Sequence, residues 1–140
     1  MPEDLQIYFD GAARGNPGPS GIGVVVYDDS GNLLHEFNDY LGILTNNQAE
    51  YRGFQRALEE ARNLGAKRLQ VFSDSELVVK QFNGVYRVKH EALISLYRTV
   101  KKLSNEFARV EVTHVPRERN RNADRLANRA IDDVSSEGDQ

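Results

Sequence analysis

The hydrophobic pattern of the chain changes near Thr45, and this change constrains the fold more than any other feature. Three runs typical of β-strands come first, at 6–9, 21–27 and 33–41, with the turn-forming residues 28–32 between the second and third. Runs joined by such a short turn form a hairpin. The first third of the chain therefore predicts an antiparallel meander.

Helices and strands alternate in the rest of the chain. Thr45 and Gln48 match a capping box at a helix start, and Gly65 suits the left-handed backbone conformation that often follows a helix end. Apolar residues recur at helical spacing between Thr45 and Gly65. The predicted order that follows is strand, helix, helix, strand and helix, at 68–74, 75–82, 89–107, 109–115 and 123–132. Asn122 is a suitable N-cap for the last helix. Because strands reached through helices are parallel, we expect an α/β domain with a five-stranded mixed sheet, in which strands 1–3 are antiparallel and strands 4 and 5 are parallel.

The composition is typical of one ordinary domain. A chain of 140 residues can bury a sizeable core without disulfides, and the absence of cysteine fits a reducing compartment. No apolar run approaches the roughly 20 residues of a membrane span, and the basic start of a signal peptide is missing. We expect a cytoplasmic monomer with no membrane association and no obligate protein partner.

The net charge of −3 is concentrated at the end of the chain. Four of the 21 acidic residues lie at 132–140, which has no Lys or Arg, so elsewhere 18 basic residues face 17 acidic ones. This segment has too little apolar surface to offset ordering, which predicts a domain at 1–131 and a disordered acidic tail. Five arginines cluster late in the chain, a pattern that usually marks a solvated face: Arg117, Arg119, Arg121, Arg125 and Arg129.

Four acidic residues stand where a structural role is hard to find. Asp10 and Asp74 each end a strand, and if those strands are parallel neighbours, both carboxylates emerge at the sheet edge where α/β domains bind ligands. Glu50 shares a helix face with Phe54, and Asp124 lies beside the apolar face of the last helix. Taken singly, helix capping or interaction with a helix dipole explains each acid about as well.

Taken together, the four acids favour a metal site. No basic partner for them is evident, and unpaired buried charge is costly. Mg²⁺ or Mn²⁺ would neutralise them, since these ions prefer oxygen ligands and keep positions open for phosphate and water. Two such ions about 3.5 to 4 Å apart suit in-line displacement at phosphorus.

Four blocks of sequence that contain these acids resemble type 1 ribonuclease H in their order and separation. They are YFDGAARGNPGPSGIGVVV, TNNQAEYRGFQRALEEA, VFSDSELVVKQF and HVPRERNRNADRLANRA, and the match extends from about Leu5 to Ile131. The resemblance implies a ribonuclease H-like fold and a metal-dependent endoribonuclease. It implies hydrolysis of the RNA strand of RNA/DNA hybrids by a two-metal-ion mechanism, with 5′-phosphate and 3′-hydroxyl products.

The resemblance also implies residue roles. The ligands of two Mg²⁺ or Mn²⁺ ions, when substrate is bound, would be Asp10, Glu50, Asp74 and Asp124. Contacts to the RNA strand would come from Gly11, Ala12, Ala13, Asn16, Asn46 and Asn47, and a phosphate contact to the DNA strand from Thr45. Turn chemistry and helix capping are the simpler explanations for Asn16 and Thr45. Arg117 is favoured over His114 as the mobile catalytic residue, because His114 belongs to the last strand, where a packed histidine is more common.

Two features depart from the common pattern of that family. Segment 83–91 is too short for the long basic insertion with which many members hold the DNA strand, so we expect weaker or more salt-sensitive hybrid binding. His90 stands where an Asn is expected, and the sequence assigns it no role.

Other functions fit the sequence less well. A non-catalytic module that binds hybrid or double-stranded RNA on the same fold is the main alternative, and the presence of all four acids argues against it. A phosphatase-like or transposase-like enzyme leaves the TNNQAE block without a task, and a calcium-binding scaffold would need a contiguous acidic loop. Double-stranded RNA stays open as a second substrate.

Overall fold

A computed structural model describes the backbone of residues 2–138 and the side chains of residues 2–135. The strands are β1 (Asp4–Ala13), β2 (Gly18–Asp28), β3 (Leu33–Leu44), β4 (Arg68–Ser73) and β5 (Arg109–His114). The helices are α1 (Asn46–Asn63), α2 (Glu76–Phe82), α3 (Glu91–Ser104) and α4 (Arg121–Gly138), with a single 3-10 turn at Arg117–Arg119 before α4. None of the helices in this part of the chain is long and apolar enough to cross a bilayer.

The five strands form one mixed sheet in the order β3-β2-β1-β4-β5. β1 pairs antiparallel with β2 and parallel with β4, and β5 continues parallel to β4. The prediction of an antiparallel meander followed by parallel strands is confirmed. In this arrangement the C-terminal ends of β1 and β4 lie side by side, since Tyr8 is the register partner of Phe72.

Helices cover both faces of the sheet. On one face, α1 and α3 pack over the main core, where the ring of Phe9 stacks on that of Phe54 with centroids 4.9 Å apart. On the other face, α4 crosses β2 closely, and an added Cβ at Gly23 would lie 2.1 Å from the Ala123 carbonyl oxygen. Glycine is therefore required at position 23 for α4 to reach the sheet.

Helix α1 has the predicted ends. The Thr45 side chain accepts a hydrogen bond from the Gln48 N–H at 3.2 Å, and the Gln48 side chain accepts one from the Thr45 N–H at 2.8 Å. Gly65 follows the helix with a φ of 78°, a left-handed conformation that glycine adopts without strain. The capping box and glycine end fix where α1 begins and ends.

Helix α4 differs from the sequence expectation at both ends. It begins at Arg121, so Asn122 lies inside the helix and is not its N-cap. It also continues to Gly138, beyond the end expected at residue 132, whereas 139–140 lie outside the described residues; the division into a domain at 1–131 and an acidic tail stays a prediction. An ion pair at 2.5 Å between Arg14 and Asp132 connects the second half of the helix to the loop after β1.

Candidate active site

Three carboxylates converge at the C-terminal ends of β1 and β4. Asp10 lies in the last part of β1, Asp74 directly follows β4, and Glu50 lies in the second turn of α1, which packs against β1. One oxygen from each side chain lies within 4.8 Å of the other two. The parallel pairing of β1 with β4 and the packing of α1 thus bring together three acids from distant parts of the chain.

The Asp74 carboxylate has no capping role. Ser75 is the N-cap of α2, and its hydroxyl accepts a hydrogen bond from the Val78 N–H at 3.3 Å. The Asp74 side chain, which belongs to the cluster, is 12% exposed. The capping explanation considered for Asp74 is therefore wrong.

Gly11 lets α1 approach β1 and holds Glu50 in place. Its N–H donates a hydrogen bond to Oε1 of Glu50. An added Cβ at this position would lie 2.2 Å from the backbone carbonyl carbon of Ala49, a distance that no side chain can occupy. Because the N–H is used by Glu50, the Gly11 contact to RNA predicted from the resemblance cannot use this donor.

The cluster is buried and carries excess negative charge. Asp10 is 5% exposed and Glu50 3% exposed. Burial raises the pKa of the Asp10 carboxyl far above its ordinary value, and the nearby charges of Glu50 and Asp74 raise it further. Burial also raises the pKa of Glu50, although contacts with Asp10 and the Gly11 N–H oppose that change. Such a site favours either proton uptake or a bound cation.

Asp124 lies next to the cluster but is not one of the three tightly grouped acids. A contact with its side chain contributes to the raised pKa of Asp10. Asn128 donates hydrogen bonds to its Oδ1 and its backbone oxygen, at 3.1 and 3.0 Å. Asp124 is thus held at the edge of the site from α4, opposite the helix that carries Glu50.

The cluster fits a divalent metal. Its donors are all carboxylate oxygens, which hard cations such as Mg²⁺ and Mn²⁺ prefer. Among the side chains of residues 2–135, one cation comes within 4.0 Å of it: Arg117, whose Nε lies 3.9 Å from Oδ2 of Asp74. That arginine is 86% exposed and does not neutralise the buried acids.

Arg117 and His114 have different surroundings. Arg117 lies in the 3-10 turn after β5 and reaches toward Asp74. His114 ends β5 as an exposed side chain. The expectation that His114 is packed is wrong, because the strand ends there and its last side chain faces solvent.

A second group of predicted residues lies at the N-terminus of α1. Asn16 accepts a hydrogen bond from the Asn46 N–H at 3.1 Å, which joins the β1–β2 loop to the helix start. A cleft of about 190 Å³ is lined by Asn16, Thr45, Asn47, His90, Ala92 and Leu93. Ala12 and Ala13 lie on β1 opposite Gly21 and Ser20 of β2.

The structure adds two residues that the sequence did not assign. His90 is the N-cap of α3, with Nδ1 accepting from the Ala92 N–H at 3.3 Å, and it lines the cleft beside Thr45. Asn120 is buried in front of α4 and donates from Nδ2 to the Phe9 carbonyl at 2.9 Å. The only hint of Asn120 in the sequence was its place before the last helix, since its partner lies 111 residues away.

The sheet order, the flanking helices and the acids at the sheet edge define a ribonuclease H-like fold. The chain matches the family described as "Reverse transcriptase-like" over residues 8–130. A crystal structure of RNase H1 from Halobacterium salinarum superposes with a TM-score of 0.91 at 41% identity, covering 93% of this chain and 98% of that one. LC11-RNase H1, solved in complex with an RNA/DNA hybrid, superposes with a TM-score of 0.89 at 44% identity, covering 93% and 98%.

Two curated relatives are longer than this chain. A bifunctional protein of Mycobacterium tuberculosis is 48% identical over 127 residues, which cover 90% of this chain and 35% of that protein. Ribonuclease HI of Halobacterium salinarum is 42% identical over 130 residues, which cover 93% of this chain and 65% of that protein. The chain thus spans about a third of the first relative and under two thirds of the second. It belongs to the type 1 ribonuclease H family.

Proposed function

We propose that this chain is a metal-dependent endoribonuclease that hydrolyses the RNA strand of RNA/DNA hybrids. The observation that carries the proposal is the buried cluster of Asp10, Glu50 and Asp74 on the fold of RNase H1. A structural relative at 44% identity was solved with an RNA/DNA hybrid, which supports the same class of substrate here.

The acids would hold two divalent ions when substrate is bound. Asp10, Glu50 and Asp74 would supply the central ligands, with Asp124 at the edge. Bound Mg²⁺ or Mn²⁺ supplies Lewis acidity and lowers the pKa of bound water. The Gly11 N–H keeps the Glu50 carboxylate oriented toward Asp10, so the ligand set is arranged before substrate arrives.

Arg117 would assist at the reacting phosphate. Its guanidinium lies at the rim beside Asp74, and most of its surface is exposed. A cation at this position can stabilise the charge that develops on phosphate oxygens or on the leaving 3′-oxygen. Cleavage of the bond to the 3′-oxygen leaves a 3′-hydroxyl on one product and a 5′-phosphate on the other.

The cleft at the start of α1 would select the substrate. Asn16, Asn46 and Asn47 carry short amides suited to the 2′-hydroxyl groups that distinguish RNA from DNA. Thr45 caps α1, and the N–H groups at a helix N-terminus favour a phosphate. We infer that RNA sugars contact the asparagines while a DNA phosphate lies at Thr45.

Labelled nucleic acids test this function. The protein is incubated with RNA/DNA hybrid, double-stranded RNA and single strands, in Mg²⁺, in Mn²⁺ or with a chelator. We expect metal-dependent cleavage of the RNA strand of the hybrid, with little activity left in Asp10→Asn. Asp39→Asn is a matched control, since Asp39 is an exposed surface acid paired with Arg56.

Three outcomes of this assay contradict the proposal. They are cleavage in the presence of chelator, full activity of Asp10→Asn, and tight hybrid binding by the unmodified protein without cleavage in either metal. The last result would instead support a non-catalytic binding module. Cleavage of double-stranded RNA at a similar rate would widen the substrate class but leave the metal chemistry intact. The monomeric state and cytoplasmic location stay predictions, which light scattering and cell fractionation can check.

A further inference from the structure

A cleft of about 450 Å³ lies where the first turn of α4 meets the sheet. Its volume is within the range of small-molecule sites in proteins. We refer to it as the α4 cleft, and its lining consists of Gln6, Tyr8, Val25, Tyr27, Gly31 and the segment 118–123. The four acids of the proposed metal site lie outside this lining. The α4 cleft is therefore a separate site, to which the proposed function assigns no role.

Two half-buried tyrosines form one wall of the α4 cleft. The rings of Tyr8 and Tyr27 are nearly perpendicular, at 87°, with centroids 5.8 Å apart. Tyr8 also stacks on Phe72 with centroids 4.7 Å apart, and both tyrosines pack against a buried apolar cluster that contains Val25 and Ala123. These contacts hold the two rings in place. A flat ring that stacks on one tyrosine would meet the edge of the other, and aromatic groups favour both arrangements.

Asn120, which lines the α4 cleft, carries a buried hydrogen-bond acceptor without a donor. The residue is 1% exposed, and its Nδ2 donates to the Phe9 carbonyl at 2.9 Å. That bond fixes the orientation of the amide, and Oδ1 accepts no hydrogen bond from the part of the chain that the structure describes. A buried carbonyl oxygen without a donor is costly. A ligand that carries an N–H on a flat ring could stack on the tyrosines and also remove this cost.

Two arginines and a helix start give the α4 cleft a positive rim. Arg119 and Arg121 are exposed, and no acidic side chain of residues 2–135 lies within 4.0 Å of either guanidinium. The first backbone hydrogen bond of α4 runs from the Asp124 N–H to the Asn120 carbonyl, at 3.0 Å. The N–H groups of residues 121–123 thus have no acceptor within the helix, which favours an anion at this end of the cleft.

We propose that the α4 cleft binds a nucleoside 5′-monophosphate. The base lies against the tyrosine rings and donates an N–H to Oδ1 of Asn120. The ribose hydroxyls donate to Glu118, an exposed carboxylate in the lining, and the phosphate lies between Arg119 and Arg121. Inorganic phosphate would leave the tyrosines and Asn120 unused, and an uncharged aromatic amine would leave the arginines unused. A mononucleotide combines the flat ring, the N–H donor and the anion that these groups require.

NMR titration with adenosine 5′-monophosphate locates the ligand on the unmodified protein. The titration is carried out in chelator and without nucleic acid, so that no metal at the acids can bind the phosphate. In amide spectra, we expect the largest shifts at Gly31, at the side-chain amide of Asn120 and at residues 121–123, with the Gly11 N–H unchanged. Shifts confined to the surroundings of the acids, or no shifts at millimolar ligand, would overturn the inference.

One pair of variants tests the phosphate contact. Arg121→Gln should weaken binding of adenosine 5′-monophosphate about tenfold, because it removes a charged hydrogen bond to the phosphate. Arg129→Gln is the matched control, since Arg129 is exposed on the same helix and lies outside the lining of the α4 cleft. Equal affinities of these two variants would overturn the inference, and their amide spectra show whether both are folded.

Altered ligands test the base contact without changing the protein. Purine riboside 5′-monophosphate lacks the amino group of adenine and should bind about fivefold more weakly, because Oδ1 of Asn120 then has no donor. Ribose 5-phosphate, which has no base, should bind more weakly still. If ribose 5-phosphate bound as tightly as adenosine 5′-monophosphate, the cleft would be a phosphate site and the assignment of a nucleotide would be wrong. Because no metal or hybrid is present, these results do not depend on whether the chain is a nuclease.

Discussion

Replacement of Asp10 by Asn should stabilise the metal-free protein at neutral pH. The carboxyl is buried beside Glu50 and Asp74, and its side-chain contacts with Glu50 and Asp124 favour its protonated form. Its folded-state pKa is raised, chiefly by burial and then by the neighbouring negative charges. Asn has nearly the same shape and no charge, so the variant keeps the packing and removes the repulsion.

The size of the effect follows from proton linkage. An Asp in the unfolded chain has a pKa near 4, so at pH 7 folding requires the raised group to take up a proton or to stay charged in a buried site. Each pH unit above the unfolded-state pKa lowers the free energy of unfolding by about 1.36 kcal/mol. Over the three units from pH 4 to pH 7, the loss is therefore at most about 4 kcal/mol. Because solvation and relaxation lower this cost, we expect Asp10→Asn to gain about 2 to 4 kcal/mol.

Urea unfolding in the presence of chelator, at pH 5 and pH 8, measures this gain. Because the pKa of Asp10 is higher in the folded state, the contribution of this group to stability is complete below about pH 4. It is lost as the pH rises toward the folded-state pKa. The gain of Asp10→Asn should therefore be small at pH 5 and large at pH 8. Asp39→Asn, which breaks a surface ion pair, should change stability by less than about 1 kcal/mol.

Added Mg²⁺ gives a second measurement on the same proteins. The ion should stabilise the unmodified protein at pH 8 more than it stabilises Asp10→Asn, because the variant lacks a ligand and part of the charge. The reasoning would be refuted by an Asp10→Asn protein that is less stable than the unmodified one at pH 8. A gain of equal size at both pH values would refute it as well, since the effect would then not come from ionisation.

Three further substitutions test individual parts of the site. Gly11→Ala should lower the free energy of unfolding by about 3 kcal/mol or more, near the upper end for overpacked cores, because the added Cβ would overlap the backbone of α1. Thermal unfolding measures this loss. Thr45→Ala should cost about 1 kcal/mol through loss of the cap to Gln48 and also weaken hybrid binding, whereas Thr45→Ser should keep the cap. Arg117→Ala should lower kcat with little change in KM or unfolding midpoint, since its one ion pair, with Asp74, is long and exposed; an unchanged kcat would contradict its role.

The order of elements could be predicted from the sequence because each depends on local pattern. Alternating apolar residues mark β1 to β3, and the capping box of Thr45 and Gln48 marks the start of α1. The parallel direction of β4 follows from its helical connection, whereas its place next to β1 was only a condition of the prediction and is established by the observed pairing. That pairing places Asp10 beside Asp74, and the packing of α1 on β1 brings Glu50 to them.

The parts that could not be predicted depend on contacts between distant residues. Asn120, just before α4, bonds to the Phe9 carbonyl, and Asp132, within α4, bonds to Arg14. These partners are separated by 111 and 118 residues, and no local pattern indicates them. The sequence could not assign His90 for the same reason, because this residue comes to lie beside Thr45 only when α1 and α3 pack together.

The supports of the three acids explain why such a costly cluster can persist. Asp10 is fixed by pairing of β1 on both sides, Glu50 by the N–H of Gly11, and Asp74 by a helix start that Ser75 caps. Each support is a contact within the protein chain and involves no bond to a metal. A cation that enters the site therefore neutralises charge and does not have to order the side chains. Its binding relieves the repulsion among the three acids, so the stability that this repulsion removes from the fold strengthens metal binding.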